Sequence, residues 1–257
     1  MWVGACIVVV VGAIIAFGPA SIIGVYESIS FRLVPSSEKA YAYGNRHFNA
    51  QTPLFYDIER AKYFYAEAYA LDPLQPYIHH QRARIAFLEG RFAAAMALID
   101  EQIHLFGTTT PNSYYVRGLI EGFIGQYDAA ASDYETYLSF DPHNWAALND
   151  YIWVLLKAER VEKAREVAAY ALVFFPDNPW LLNSHAIALF ETGEVEPALD
   201  AARRATVAFD SLTEAEWLHA YPGNDPLVAG KGVATARQSA LDNMHRIEAA
   251  LALRVVQ

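Results

Sequence analysis

Residues 144–176 read NWAALNDYIWVLLKAERVEKAREVAAYALVFFP, and this stretch decides the fold. Trp145, Leu148, Ile152 and Leu155 share one face of a helix, because apolar residues three and four apart align at about 3.6 residues per turn. Val161, Ala164, Ala168 and Ala171 form a second apolar stripe, which Pro176 stops. Two such helices cannot bury both stripes against each other alone, so the unit must stack on neighbours. Breaks at Leu71-Asp72-Pro73, Phe106-Gly107, Phe140-Asp141-Pro142, Phe175-Pro176 and Phe209-Asp210 recur about every 34 residues and supply those neighbours.

Within each unit the residue classes repeat as well as the spacing. Small residues pair across the two helices: Ala83 with Ala95, Gly118 with Ala130, Ala186 with Ala198, while Ile152 faces Ala164 in the fourth unit. Ala68, Ala171 and Ala205 fill a later small position, where Gln102 and Tyr137 depart from the pattern. Gly90, Gly125 and Gly193 sit where the first helix should end in a left-handed residue, and Glu159 stands there once. Asn144 and Asn178 are placed to cap the next helix. The first unit is irregular: a helix over residues 38–49 with Gly44 at the crossing, an insertion over 50–56, then Asp57 capping a helix to Ala70.

These residues resemble the tetratricopeptide repeat family over about residues 37–212. The resemblance implies an all-α protein, an α-solenoid of about five helical hairpins. A capping region over 213–257 follows, with Thr213 starting a short helix. Its long final helix carries Val233, Ala240, Leu241, Met244, Ile247 and Leu251 inward to cover the last face.

Ahead of the repeats, Trp2 to Tyr26 contains no charged residue. At ~1.5 Å per residue this run is about 37 Å of helix, enough to cross a ~30 Å hydrocarbon layer. It predicts one transmembrane helix over residues 1–30 and a linker over 31–36, hence a single-pass membrane protein. A signal peptide cleaved near Ala20 is the alternative, but the run has no basic start and continues through Val25. The side on which the repeats lie stays open. Gly12, Ala16, Ala20 and Gly24 recur every fourth residue, a stripe of small side chains suited to lateral helix packing or an oligomer in the membrane.

The formal net charge of −10 argues against nucleic acid, which needs a concentrated basic face. The single cysteine excludes an internal disulfide. His79 and His80 are adjacent and point about 100° apart on a helix, so no metal site is expected, nor any cofactor or catalytic residue.

In the family the first helix of each unit lines a concave groove. Carried onto this sequence, the resemblance implies a partner-binding surface of Tyr77, His80, Arg84, Tyr115, Leu119, Asn149, Trp153, Trp180, Asn183 and Ile187. The two asparagines, 34 residues apart, would pair with the backbone of an extended peptide. The carboxylate clamp of some relatives has its matching places at Tyr41, Asn45, Gln81, Asn112 and Val116, where the basic pair is missing. The function expected is a membrane-anchored scaffold, an adaptor or assembly factor holding a protein or peptide partner. The alternative is a permanent structural subunit of a membrane protein complex.

Overall fold

The computed structural model describes residues 21–220 and 225–255. Residues 21–33 form helix α1. Five hairpins follow: α2 (Ser37–His47) with α3 (Ile58–Leu71), α4 (Ile78–Leu88) with α5 (Phe92–Phe106), and α6 (Asn112–Phe123) with α7 (Tyr127–Leu138). Then come α8 (Trp145–Lys157) with α9 (Val161–Phe174), and α10 (Pro179–Glu191) with α11 (Val195–Asp210). A short α12 (Glu214–Ala220) and a long α13 (Ala229–Val255) complete the chain's described helices, with no strand among them.

Four of the hairpins turn by the same device. Gly90, Gly125 and Gly193 have φ of 71°, 83° and 87°, and Glu159 adopts 58° in the same left-handed region. In each case the following backbone N–H donates to a carbonyl five residues back. The pairs are Arg91 to Ala86, Gln126 to Glu121, Arg160 to Leu155 and Glu194 to Leu189, at 2.8–2.9 Å. This closes the orphan carbonyls at the end of the first helix and aims the chain straight into the second. Asn144 and Asn178 accept from the N–H groups of Ala147 and Leu181, both at 3.1 Å, so the next unit starts with its donors satisfied.

Small residues set the crossing distance. A Cβ on Gly118 would lie 3.2 Å from the Ala130 carbonyl oxygen, and one on Gly44 would lie 2.5 Å from the Tyr65 ring. Ala83, Ala95, Ala164, Ala186 and Ala198 are fully buried at the equivalent places. The first unit's insertion holds a 3-10 turn over Pro53–Phe55, and Asp57 caps α3 by accepting from Arg60 N–H at 3.0 Å.

After the last hairpin, Thr213 and Glu216 cap α12 reciprocally. Thr213 Oγ1 accepts from Glu216 N–H at 3.2 Å, and Thr213 N–H donates to Glu216 Oε2 at 2.8 Å. Helix α13 then lies along α11, burying Ile247 beside Leu199 and Ala202 and covering the open end of the array.

The transmembrane helix expected over residues 1–30, and with it the single-pass membrane localisation, is corrected here. No helix among the described residues is long and apolar enough to cross a membrane. The described part of that segment docks on the first hairpin instead. Phe31 packs edge-on against Phe64 with ring centroids 6.0 Å apart. Glu27 is fully buried, and its carboxylate meets Arg46 Nη1 at 2.8 Å, His47 Nε2 at 2.7 Å and Arg60 Nη2 at 3.5 Å. A helix face bearing a buried carboxylate held by these partners is built for protein, not lipid. Gly24, expected on a stripe toward another membrane helix, faces the Arg60 guanidinium, which donates to its carbonyl at 2.9 Å. Gly12, Ala16 and Ala20 lie outside the described residues, and 31–33 continue α1 rather than opening a linker.

Two outcomes follow from these contacts. Glu27→Ala leaves Arg46 and Arg60 around an unfilled site but still partly reached by water. The cost should fall below that of a fully buried broken pair, at about 2–3 kcal/mol. Hydrogen exchange should quicken in α1–α3 and stay unchanged in α8–α11, because repeat arrays transmit such losses only to neighbours. Glu159→Gly should raise stability by about 0.5–1 kcal/mol in urea unfolding, since it relieves a left-handed side chain against a small entropic loss.

Candidate functional site

The first helices of successive hairpins touch each other, α4 with α6, α6 with α8 and α8 with α10. The inner faces of α4, α6 and α8 bound a groove of about 950 Å³. Tyr77, His80 and Arg84 line it from the start and body of α4, Tyr115 and Leu119 from α6, and Asp150 from α8, with Tyr41 at one end. His143 enters from the loop before α8, Trp145 from the first position of α8, and His219 and Ala220 from α12.

Of the groove residues expected from the sequence, Tyr77, His80, Arg84, Tyr115 and Leu119 are brought together here. The rest lie elsewhere. Asn149 accepts from Ser184 Oγ at 2.7 Å, between α8 and α10. Asn183 accepts from Asn243 Nδ2 of α13 at 3.1 Å. Trp153 packs over Gly122, with its ring 6.1 Å from those of Phe123 and Tyr127. Trp180 sits between Trp145 at 5.2 Å and Phe209 at 5.3 Å. Ile187 is half-buried on α10.

The two departures from the small-residue pattern help to build this site. Tyr77 precedes α4 with φ 63° and gives it no side-chain cap. Gln102, fully buried, takes that role by accepting from His80 N–H at 3.2 Å. Tyr137 reaches the groove wall, where its ring lies 5.4 Å from Tyr115 and its hydroxyl accepts from Asn144 Nδ2 at 3.0 Å. A strained, non-glycine backbone at Tyr77 persists only where surrounding contacts fix it, here the His80 ring at 5.4 Å.

Burial dominates the electrostatics. His80 is pushed down to about 3, first by burial and then by Arg84, so it is neutral at physiological pH, with Nδ1 3.2 Å from Ser113 Oγ. Burial likewise raises Tyr137 to about 12, with Asp141 adding to it. Arg84 is lowered by its withdrawal from water, and the groups that oppose this are the tyrosines 65, 115, 41 and 56.

The helical repeat, the shared turn and the inner groove point to one known architecture. Residues 115–179 match the tetratricopeptide repeat family model. The matched segment runs from α6 into the start of α10, and the tetratricopeptide-like hairpin continues on both sides of it. Among solved structures, a double mutant of RS-1 MamA is 16% identical over 68% of this chain and 95% of its own, with a TM-score of 0.59. PilF of Pseudomonas aeruginosa is 14% identical over 84% of this chain and 90% of its own, with a TM-score of 0.58. YrrB, described as a TPR protein with an unusual peptide-binding site, is 15% identical over 72% and 97%, with a TM-score of 0.50. These likenesses show an all-α, tetratricopeptide-like solenoid. No curated protein matches the chain by sequence.

Behind the groove, α6 carries a second charged cluster. Arg117 donates to both Asp133 oxygens, at 2.6 and 2.8 Å, and to Asp100 at 3.1 Å. Glu121 Oε1 is 4.0 Å from Arg117 Nε, while its Oε2 is buried without a partner. Burial and the nearby Asp133 carboxylate push Glu121 up to about 7. Its raised value favours the protonated, folded chain below the unfolded value of about 4.3, and that stability is lost as pH rises through about 7. Glu121→Gln should therefore be more stable than the parent at about pH 8, by roughly 1–3 kcal/mol, with the difference vanishing toward about pH 4–5 in urea titrations.

Proposed function

We propose that this chain is an interaction scaffold that holds an extended segment of a partner protein in the groove formed by α4, α6 and α8. The supporting observation is the groove itself: one continuous trough whose walls come from three stacked helices, lined by Tyr77, Tyr115, Leu119 and Trp145. Stacking fixes those walls before a ligand arrives, which lowers the ordering cost of binding. Aromatic side chains with hydroxyl, amide and imidazole groups between them suit a peptide, whose backbone needs donors and acceptors and whose side chains need apolar seats. The peptide-binding site described for YrrB, a protein of similar fold, agrees with this reading.

Binding rather than catalysis is the better reading of the polar groups. Ser113, the hydroxyl beside His80, is fully enclosed, and an imidazole held at about 3 is too weak a base to activate it. The pair instead ties α4 to α6.

A photo-crosslinking side chain at Leu119 or His143 tests the proposal against one at Val207, which is exposed outside the groove. The groove positions should capture a single contiguous segment of one partner, and Leu119→Asp should abolish capture from His143. Equal capture from Val207, or capture insensitive to Leu119→Asp, would refute the groove.

A further inference from the structure

We infer that the occupant of the groove presents an acidic side chain, Asp or Glu, to Arg84. This deepens the scaffold reading and rests on it. Arg84 is a half-buried charge on the groove wall with no carboxylate within 4 Å among the described residues. Its neighbours are aromatic: the guanidinium stands 4.6 Å over the Phe48 ring, and tyrosines 41, 56, 65 and 115 surround it. Of its five N–H donors, Nη1 is committed to Gln81 Oε1 at 2.8 Å, and no other has an acceptor among the described residues.

That one bond is part of a chain that fixes the side chain's direction. Gln81 Nε2 donates to Asn45 Oδ1 at 2.9 Å, and Tyr65 O–H donates to the same oxygen at 2.8 Å. Asn45 and Gln81, which lack the charges of a carboxylate clamp, thus orient a cation one helical turn further along. Arg84 also lies where the main groove meets a smaller cavity of about 300 Å³, lined by Asn45, Phe48, Tyr65 and His219.

A half-buried guanidinium facing a groove is drawn to an anion, and its planar fork matches a carboxylate in two parallel bonds. The wall formed by α8 and the loop before it carries Asp141 and Asp150, so a carboxylate beside them would be repelled. Charge complementarity therefore favours an acidic side chain at Arg84 rather than beside the two aspartates. An internal acidic residue is the occupant, because the groove lies along three helices rather than in a closed cup.

Two displayed libraries of random twelve-residue peptides test this on the full chain, one flanked on both sides and one ending in a free carboxylate. The flanked library should enrich Asp or Glu at one position, and Arg84→Gln should weaken the selected peptide about tenfold or more. Arg84→Met should bind equally poorly yet unfold in urea no more easily than the parent, since it removes a half-buried charge and keeps an apolar stem. Selected peptides without an acidic position, or equal binding by Arg84→Gln, would overturn the inference. Enrichment only in the free-carboxylate library would overturn it in favour of a chain terminus. If Leu119→Asp abolishes binding while Arg84→Gln does not, the groove stands and the acidic side chain falls. Binders indifferent to both variants would sink the two readings together.

Discussion

The close approach of two helices within each hairpin is the constraint on which the rest depends. Where Gly118 meets the Ala130 carbonyl, or Ala186 meets Ala198, a larger side chain would force the helices apart. At that separation the second stripe of each helix is left over, and only the next hairpin can cover it. Stacking is thus a consequence of small residues at one spot, and the groove a consequence of stacking. The left-handed turn with its five-residue-back hydrogen bond makes the geometry repeat, even where Glu159 must adopt it at a steric cost.

The groove takes its shape where that regularity is broken. Gln102 and Tyr137 occupy places where Ala68, Ala171 and Ala205 serve other units. One caps α4 from a neighbouring helix and allows Tyr77 its unusual backbone; the other pushes an aromatic ring to the groove wall. Both cluster around the same two units as Arg84.

This division explains what could be read from the chain. Hairpin number, turn glycines and the caps at Asn144 and Asn178 follow from local pattern and rest on contacts close in sequence, and the apolar face of α13 follows from its own spacing. The groove was legible in part, because the resemblance to tetratricopeptide repeats carries Tyr77, His80, Arg84, Tyr115 and Leu119 onto its lining. Asn183 was not, since its partner Asn243 lies on a helix sixty residues away whose docking no period announces. The contribution of His219 likewise had no signal in the sequence. The first helix misled for a different reason. An uncharged run ending at Tyr26 conceals the next residue, and Glu27 gains its meaning only when Arg46, His47 and Arg60 fold around it.

The short helix α12 has a mechanical consequence. Solenoids behave as springs, because each unit touches only its neighbours and small rotations add along the axis. Here Leu218 and His219 line the same small cavity as Asn45 and Phe48, and Asp225 bears on Tyr56, so the tail of the array reaches back to its head. Unwinding the coil would draw those walls apart and open the cavity that they share to water.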